Sequence, residues 1–309
     1  MKRKLKKKRK WFIPKPIKKA DGIFVSDIHL QESVPVARID DFWNAQWEKL
    51  DFISELQKWH ECPVINAGDL YDFWKPSPML LSKTMEHLPD VFWTIYGQHD
   101  LPQHNNELAY KSGIYCLEKA KALQTMPCMG GWGLSPEDWK EYELPTLAGK
   151  TYFVWHHMTY QGKNLFPGST ASNAAKLLRK YPQYDLIITG DNHKPFVEKH
   201  EGRLLVNPGS LFRTTAAQKD HKPRVYLWFA DTNTVEPVYL PINENAISRE
   251  HIEQKEERDN RINSFIETLN EDWQAEMSFE DNVEEFCAVN NIKQPIIDII
   301  QKAIEDEKT

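Results

Sequence analysis

Short apolar runs recur along residues 20–243, and five of them end at once in polar residues that suit a metal ion. Gly22–Val25 leads into Ser26-Asp27-Ile28-His29, and Pro63–Asn66 into Gly68-Asp69-Leu70-Tyr71-Asp72. Val91–Tyr96 leads into Gly97-Gln98-His99-Asp100, Thr151–Trp155 into His156-His157, and Asp185–Thr189 into Gly190-Asp191-Asn192-His193. Length and β-branched or aromatic content make these runs strands. A further strand is expected at Arg203–Val206, and Arg224–Ala230 with Thr234–Leu240 reads as an antiparallel pair. Asp40–His60 has helical spacing through Phe42, Leu50, Ile53 and Leu56. The pattern is α/β, two layers of sheet covered by helices.

In open α/β sheets, sites form at the carboxyl ends of strands. One DxH or GDxxD is weak, because a strand-end His is more often a satisfied core residue and a GDxxD is often a turn. Five together at strand ends are a metal site. The donors are carboxylates, imidazoles and an amide, without thiolates. This set suits Mn²⁺, Fe or Zn²⁺, with Mg²⁺ less favoured by the imidazoles. It exceeds the needs of one ion. Two divalent ions roughly 3.5–4 Å apart, sharing a carboxylate, would use it and activate water for attack on phosphorus.

Charge divides the 309-residue chain, whose net charge is −6. Residues 1–19 carry +11, residues 20–243 carry −6 and residues 244–309 carry −11. The first segment reads as a disordered basic arm, suited to a polyphosphate partner or to acidic parts of its own chain. The last reads as a small acidic helical appendage. Its apolar stripes are Ile252, Ile262, Phe265, Ile266 and Leu269, then Val283, Phe286 and Cys287, then Ile296, Ile300 and Ile304. Ser278 with Asp281 has capping-box spacing, and Pro295 fits a first helical turn. No apolar run is long enough to span a bilayer, the basic start lacks a secretory h-region, and Cys62, Cys116, Cys128 and Cys287 form no CxxC. These features point to a cytoplasmic protein with reduced, buried thiols and no membrane association.

The order D-x-H, G-D-x-x-D, G-Q-H-D, a lone H, then a G-D-x-H in place of G-H-x-H resembles the calcineurin-like metallophosphoesterase superfamily over about residues 20–215. Asn207-Pro208-Gly209-Ser210 resembles it too. The resemblance implies a four-layer α/β/β/α sandwich. It implies that Asp27, His29 and His193 hold one metal, Asp69 bridges, and Gln98, His156 and Asp191 hold the second. His156 is preferred to His157 because the family's lone His directly follows its strand. His99 would assist the leaving group, with Asp72 hydrogen-bonded to it. Gln98 and Asp191 depart from the family's Asn and His, making the second site oxygen-rich and shifting preference toward Mn²⁺ or Mg²⁺.

The nearest branch in overall look is the SbcD-type DNA-repair exonucleases, with relatives common in phage and prophage genomes. That likeness implies a nuclease acting on nucleic acid, DNA above RNA. It also implies a homodimer, and an SMC-like ATPase gripped by the C-terminal helices. His104, Arg213 and Trp74 follow motifs and are candidate substrate contacts. Trp74 and Trp132 lie in loops where a ring could stack on a base, although most of the 11 Trp are expected in the core. The rival readings are a small-substrate phosphatase or nucleotide phosphodiesterase, and a metal-poor binding scaffold supported only by Gln98 and Asp191.

Overall fold

The computed structural model describes residues 16–163, 169–271 and 279–306. Its strands in chain order are β1 (Gly22–Val25), β2 (Val64–Asn66), β3 (Phe92–Thr94), β4 (Gln124–Thr125), β5 (Thr146–Leu147), β6 (Lys150–Trp155), β7 (Thr159–Tyr160), β8 (Ser172–Asn173), β9 (Leu186–Thr189), β10 (Phe196–His200), β11 (Arg203–Asn207), β12 (Arg224–Phe229) and β13 (Thr234–Tyr239). The helices are α1 (Phe42–His60), α2 (Pro78–His87), α3 (Gly113–Lys119), α4 (Ala174–Lys180), α5 (Glu250–Glu271), α6 (Phe279–Val289) and α7 (Gln294–Asp306). They form two compact units divided between Ser248 and Arg249.

In the first unit, one sheet runs β13-β12-β1-β2-β3-β4 and a second runs β10-β11-β9-β6-β5. β1, β2, β3 and β4 are parallel neighbours, as are β6, β9 and β11. Side-chain alternation explains the layering. Ile23, Val25, Val64, Phe92, Val225, Leu227 and Phe229 face α1, α2 and α3 in one core. Phe24, Ile65, Tyr226 and Trp228 face the second sheet in another, which also takes Ala174, Leu177 and Leu178 of α4. The result is helices, sheet, sheet and helix, an α/β/β/α stack.

α1 starts where the Asp41 side chain accepts the Asn44 N–H, and ends at Glu61 in a left-handed turn. Lys18 pairs with Asp231 and Lys19 with Glu61, fixing the chain at the amino end of β1. The rest of the basic arm, residues 1–15, lies outside the described residues. Residues 244–248 belong to the first unit, with Ala246 and Ile247 buried and the Ala246 carbonyl taken by the Ile39 N–H. β10 has no apolar signature, because FVEKH is an edge strand left partly exposed.

The second unit is helical, with α5 packed on α6. Val283 and Cys287 are buried, but Ile262 is 48% exposed. Ile296 is not buried as its stripe predicts: it is 50% exposed, since α7 turns it outward with Ile299. Ser278 and the side chains of Phe265, Ile266, Leu269 and Ile304 lie outside the described residues. The four thiols are free, yet only Cys62 and Cys287 are buried: Cys128 is half-buried, and Cys116 is exposed on the outer face of α3. Among the described residues, no helix is long and apolar enough to cross a membrane.

Candidate metal centre

The parallel order brings the carboxyl ends of β1, β2 and β3 against those of β6 and β9. At these ends the backbone turns sharply: Asp27, His29, Asp69 and Asp191 all sit in left-handed conformation, with φ of 49°, 48°, 53° and 74°. Each costs roughly 1–2 kcal/mol for a residue with a side chain. The surrounding hydrogen bonds impose it: Asp27 N–H on Gly68 O, and Ile28 and His29 N–H on Asp69 O. Such strain concentrates at functional sites.

Three overlapping groups result, each with donor atoms within 4.8 Å of one another: Asp27, His29 and His193; Asp27, Asp69 and His156; His29, Asp72 and His99. His29 Nε2 faces His193 Nε2 at 3.3 Å, and His156 Nε2 lies 3.5 Å from Asp69 Oδ2. Each ring is aimed by its neighbours. His156 Nδ1 donates to Ala67 O at 2.8 Å, which leaves Nε2 as the lone pair toward Asp69. Gly190 makes this approach possible, since a Cβ there would come 2.4 Å from Ala67 O and 3.0 Å from His156 Nδ1. Gln98 Nε2 donates to Asp191 Oδ1 at 3.2 Å, leaving Oε1 free to ligate, and the Asp191 N–H holds Asp27 Oδ1 at 2.9 Å.

The electrostatics of the group demand positive charge. Burial pushes the Asp69 and Asp191 carboxyls above the usual range. Burial disfavours the His156 cation, but Asp69, Asp27 and Asp191 outweigh it and raise its pKa. Burial, then the neighbouring charges of His193, His99 and His156, lowers His29 well below the ordinary imidazole value. Asp27 Oδ2, His29 Nδ1 and His156 Nε2 are buried without a hydrogen-bond partner. Buried carboxylates, opposed imidazole nitrogens and orphaned acceptors are what a divalent cation would satisfy. The donor set therefore fits two metal ions.

The sequence profile described as the calcineurin-like phosphoesterase superfamily domain matches residues 22–230, about two thirds of the chain. The chain belongs to this superfamily. A search of curated proteins finds no match. Among solved structures, this superfamily member is similar to a novel archaeal phosphodiesterase, at 13% identity and TM-score 0.40 over 71% of this chain and 99% of that one. It is also similar to a Vps29 single mutant from Entamoeba histolytica, at 15% identity and TM-score 0.35 over 71% and 99% of the two chains. Vacuolar Protein Sorting 29 from Cryptosporidium parvum matches at 11% identity and TM-score 0.34 over 71% and 95%. The superfamily chemistry is metal-dependent phosphoester hydrolysis on a dinuclear centre, and the cluster described above is its candidate seat here.

Several expected contacts differ in detail. The bond between His99 and Asp72 exists, but His99 Nδ1 donates at 2.8 Å to the Asp72 main-chain carbonyl. The Asp72 carboxylate instead faces His29 Nδ1 at 3.7 Å, because the sharp GDLYD turn points main chain and side chain to different rings. His157 turns away from the cluster, stacked on Trp155 with centroids 4.3 Å apart and bonded to Ser172 Oγ. Asp191 stands beside Gln98 and belongs to none of the three tight groups. Arg213 is not placed to meet a substrate: it is buried, with Nη1 and Nη2 on the carbonyls of Lys219 and Asn243 and Nε without a partner. Trp74 is half-buried against Phe73, and the exposed ring beside Asp72 is that of Phe73. His104 is exposed, its Nδ1 on Gln98 O and its ring 6.0 Å from that of Trp132, which in turn lies 6.1 Å from His156.

Asp100 has a role the sequence reading does not assign. Fully buried, it accepts the N–H of Gly97 and Leu70 on one oxygen and of Tyr71 on the other, at 3.0, 3.3 and 3.1 Å. It thus locks the GDLYD and GQHD turns together. Its place at the end of GQHD was the available signal.

Proposed function

We propose that this superfamily member is a two-metal phosphodiesterase that acts on nucleic acid, with DNA favoured and Mn²⁺ the preferred ion. The observation that carries the reading is the setting of His99. Its main-chain N–H donates to Asp69 Oδ1 at 2.9 Å, its Nδ1 is held by Asp72 O, and its ring stands edge-on to His29 with centroids 4.9 Å apart. Nε2 is left as the working nitrogen at the rim of the cluster.

Bound at Asp27, His29, Asp69, Gln98, His156, Asp191 and His193, two divalent ions would supply Lewis-acid polarisation and a nucleophilic water. The chain's own residues do the rest. His99 Nε2, when protonated, delivers a proton to the departing oxygen. Asp69, anchored through its backbone to Ile28 and His29, keeps the two halves of the cluster in register. Phe73, Trp132 and His104 line the approach with rings that suit planar bases. The oxygen-rich pair Gln98 and Asp191 supports Mn²⁺ over Zn²⁺.

The +11 of residues 1–19 supports a polyanionic partner, and four free thiols fit a cytoplasmic setting. A second copy, or an SMC-like ATPase, is the proposed partner for α5–α7, where Val289, Ile296 and Ile299 are exposed.

The test is hydrolysis, with Mn²⁺ added, of labelled single- and double-stranded DNA beside bis-p-nitrophenyl phosphate. DNA cleavage that vanishes in Asp69→Asn supports the reading. Turnover of the small diester alone moves the function to a small substrate, and turnover of neither removes the enzyme reading.

A further inference from the structure

The segment after β11 adopts no regular structure, yet five consecutive main-chain carbonyls in it are each taken by a side-chain donor. Ser26 Oγ donates to Gly209 O at 3.3 Å, and His221 Nε2 to Ser210 O at 2.8 Å. Lys49 Nζ donates to Leu211 O at 2.9 Å, Ser210 Oγ to Phe212 O at 3.0 Å, and Arg38 Nη1 to Arg213 O at 2.9 Å. Two main-chain N–H groups of the segment are in turn bonded to the ligand loops. Ser210 N–H donates to His193 O at 3.1 Å, and Leu211 N–H to Asp27 O at 3.2 Å. The segment therefore connects buried donors on α1 and the 31–40 loop to the main chain of two residues of the Asp27, His29 and His193 group.

The buried cations gathered here are costly. Arg38, Lys49 and Arg213 are 8%, 4% and 3% exposed, and the acid paired with this trio is Asp40, bidentate on Arg38. Burial, with Arg38 and Arg213 close by, lowers the Lys49 ammonium well below its ordinary value. Lys49 and Arg38 also cover the faces of Phe212 and Phe42 at 4.7 and 4.8 Å. An apolar residue of similar volume at position 49 would avoid the desolvation cost. Lys49 instead places its ammonium on the Leu211 carbonyl, which points to a positional duty.

We infer that Lys49, with Arg38 and His221, is a positioning residue for the first metal-ligand group: by holding the carbonyls of residues 210, 211 and 213 the three set the main chain of Asp27 and His193 at cation-binding spacing. The inference rests on that group holding a metal. Outer partners of ligands change metal affinity by about 10–100-fold, and Lys49 acts one hydrogen bond further out, so the lower figure applies.

The test is calorimetric titration of the full chain with Mn²⁺ alone, needing no substrate and no turnover. Lys49→Met is compared with wild type and with Ile53→Val, a core change on the same helix. The expected result is two Mn²⁺ per wild-type chain, one of them about 10-fold weaker in Lys49→Met and both unchanged in Ile53→Val. Unchanged affinity in Lys49→Met overturns the inference and leaves the proposed function standing. Equal weakening in both variants also overturns it, because general loosening then suffices. No Mn²⁺ bound by the wild type overturns the inference and the metal reading together. Should Lys49→Met not fold, His221→Phe takes its place with the same expectations.

Discussion

A single methyl group at Gly97 should dismantle the centre. A Cβ built there meets Asp69 Oδ1 at 2.1 Å, Asp69 N at 2.3 Å and Asp69 Cγ at 2.7 Å. Ordinary contact begins at 3.4 Å, so the side-chain oxygen must retreat by about 1.3 Å. Neither partner is free to move. The Gly97 N–H is held by Asp100 Oδ2, the Asp69 carbonyl by the Ile28 and His29 N–H groups, and Asp69 Oδ1 by the His99 N–H. Overpacking of this kind costs about 1–3 kcal/mol. At roughly 2–4 °C per kcal/mol for a unit of this size, Tm should fall by about 2–12 °C in Gly97→Ala. Metal ligands tolerate only about 0.2 Å of error, so binding suffers more than stability. Mn²⁺ affinity should drop by at least about 10-fold, with activity lost in parallel. The assay is calorimetric Mn²⁺ titration beside thermal unfolding of the metal-free chain. A Gly97→Ala protein that binds two Mn²⁺ with wild-type affinity would refute the argument that Asp69 is held by steric closure.

Two further outcomes separate chemistry from scaffold. His99→Ala should lower turnover by roughly 100-fold while metal content, read by elemental analysis, stays at the wild-type level; loss of metal along with activity would place His99 among the ligands. His157 has its pKa depressed to about 4 by burial, against 6.5 unfolded. The unfolded chain then binds the extra proton between these values, so stability is present above about 6.5 and lost as pH falls toward 4. Between pH 7 and pH 5 the loss from this group is about 2 kcal/mol. His157→Gln should flatten that part of the pH profile of urea unfolding measured in chelator; an unchanged slope would mean that burial does not hold the ring neutral.

The strands of the centre were legible because each is an apolar run closed by Asp, Gly or His, a pattern written locally. α1 was legible for the same reason, through the spacing of Phe42, Leu50, Ile53 and Leu56. What escaped was written between distant segments. Lys49 looks like a solvent-facing residue on an amphipathic helix, and only the fold shows Leu211 O above it. Arg213 follows a motif, as a substrate contact would, but its partners Lys219 and Asn243 come from loops whose path no periodicity announces. Asp72 has a side chain and a carbonyl that both accept hydrogen bonds, and sequence cannot say which meets His99. The outward turn of Ile296 is likewise a matter of packing, since α7 has enough apolar residues to offer more than one face.

Asp27, His29, Asp69, Gln98 and His99 come from loops of the first sheet, and His156, Asp191 and His193 from loops of the second. The two sheets otherwise meet mainly through apolar side chains on their inner faces, with Asn233 donating across to the carbonyls of Asp185 and Gly202. A divalent ion held across that seam would be a rivet as well as a reagent. Stripping out such an ion would loosen the joint between the halves of the sandwich, so metal removal should shorten the lifetime of the folded state.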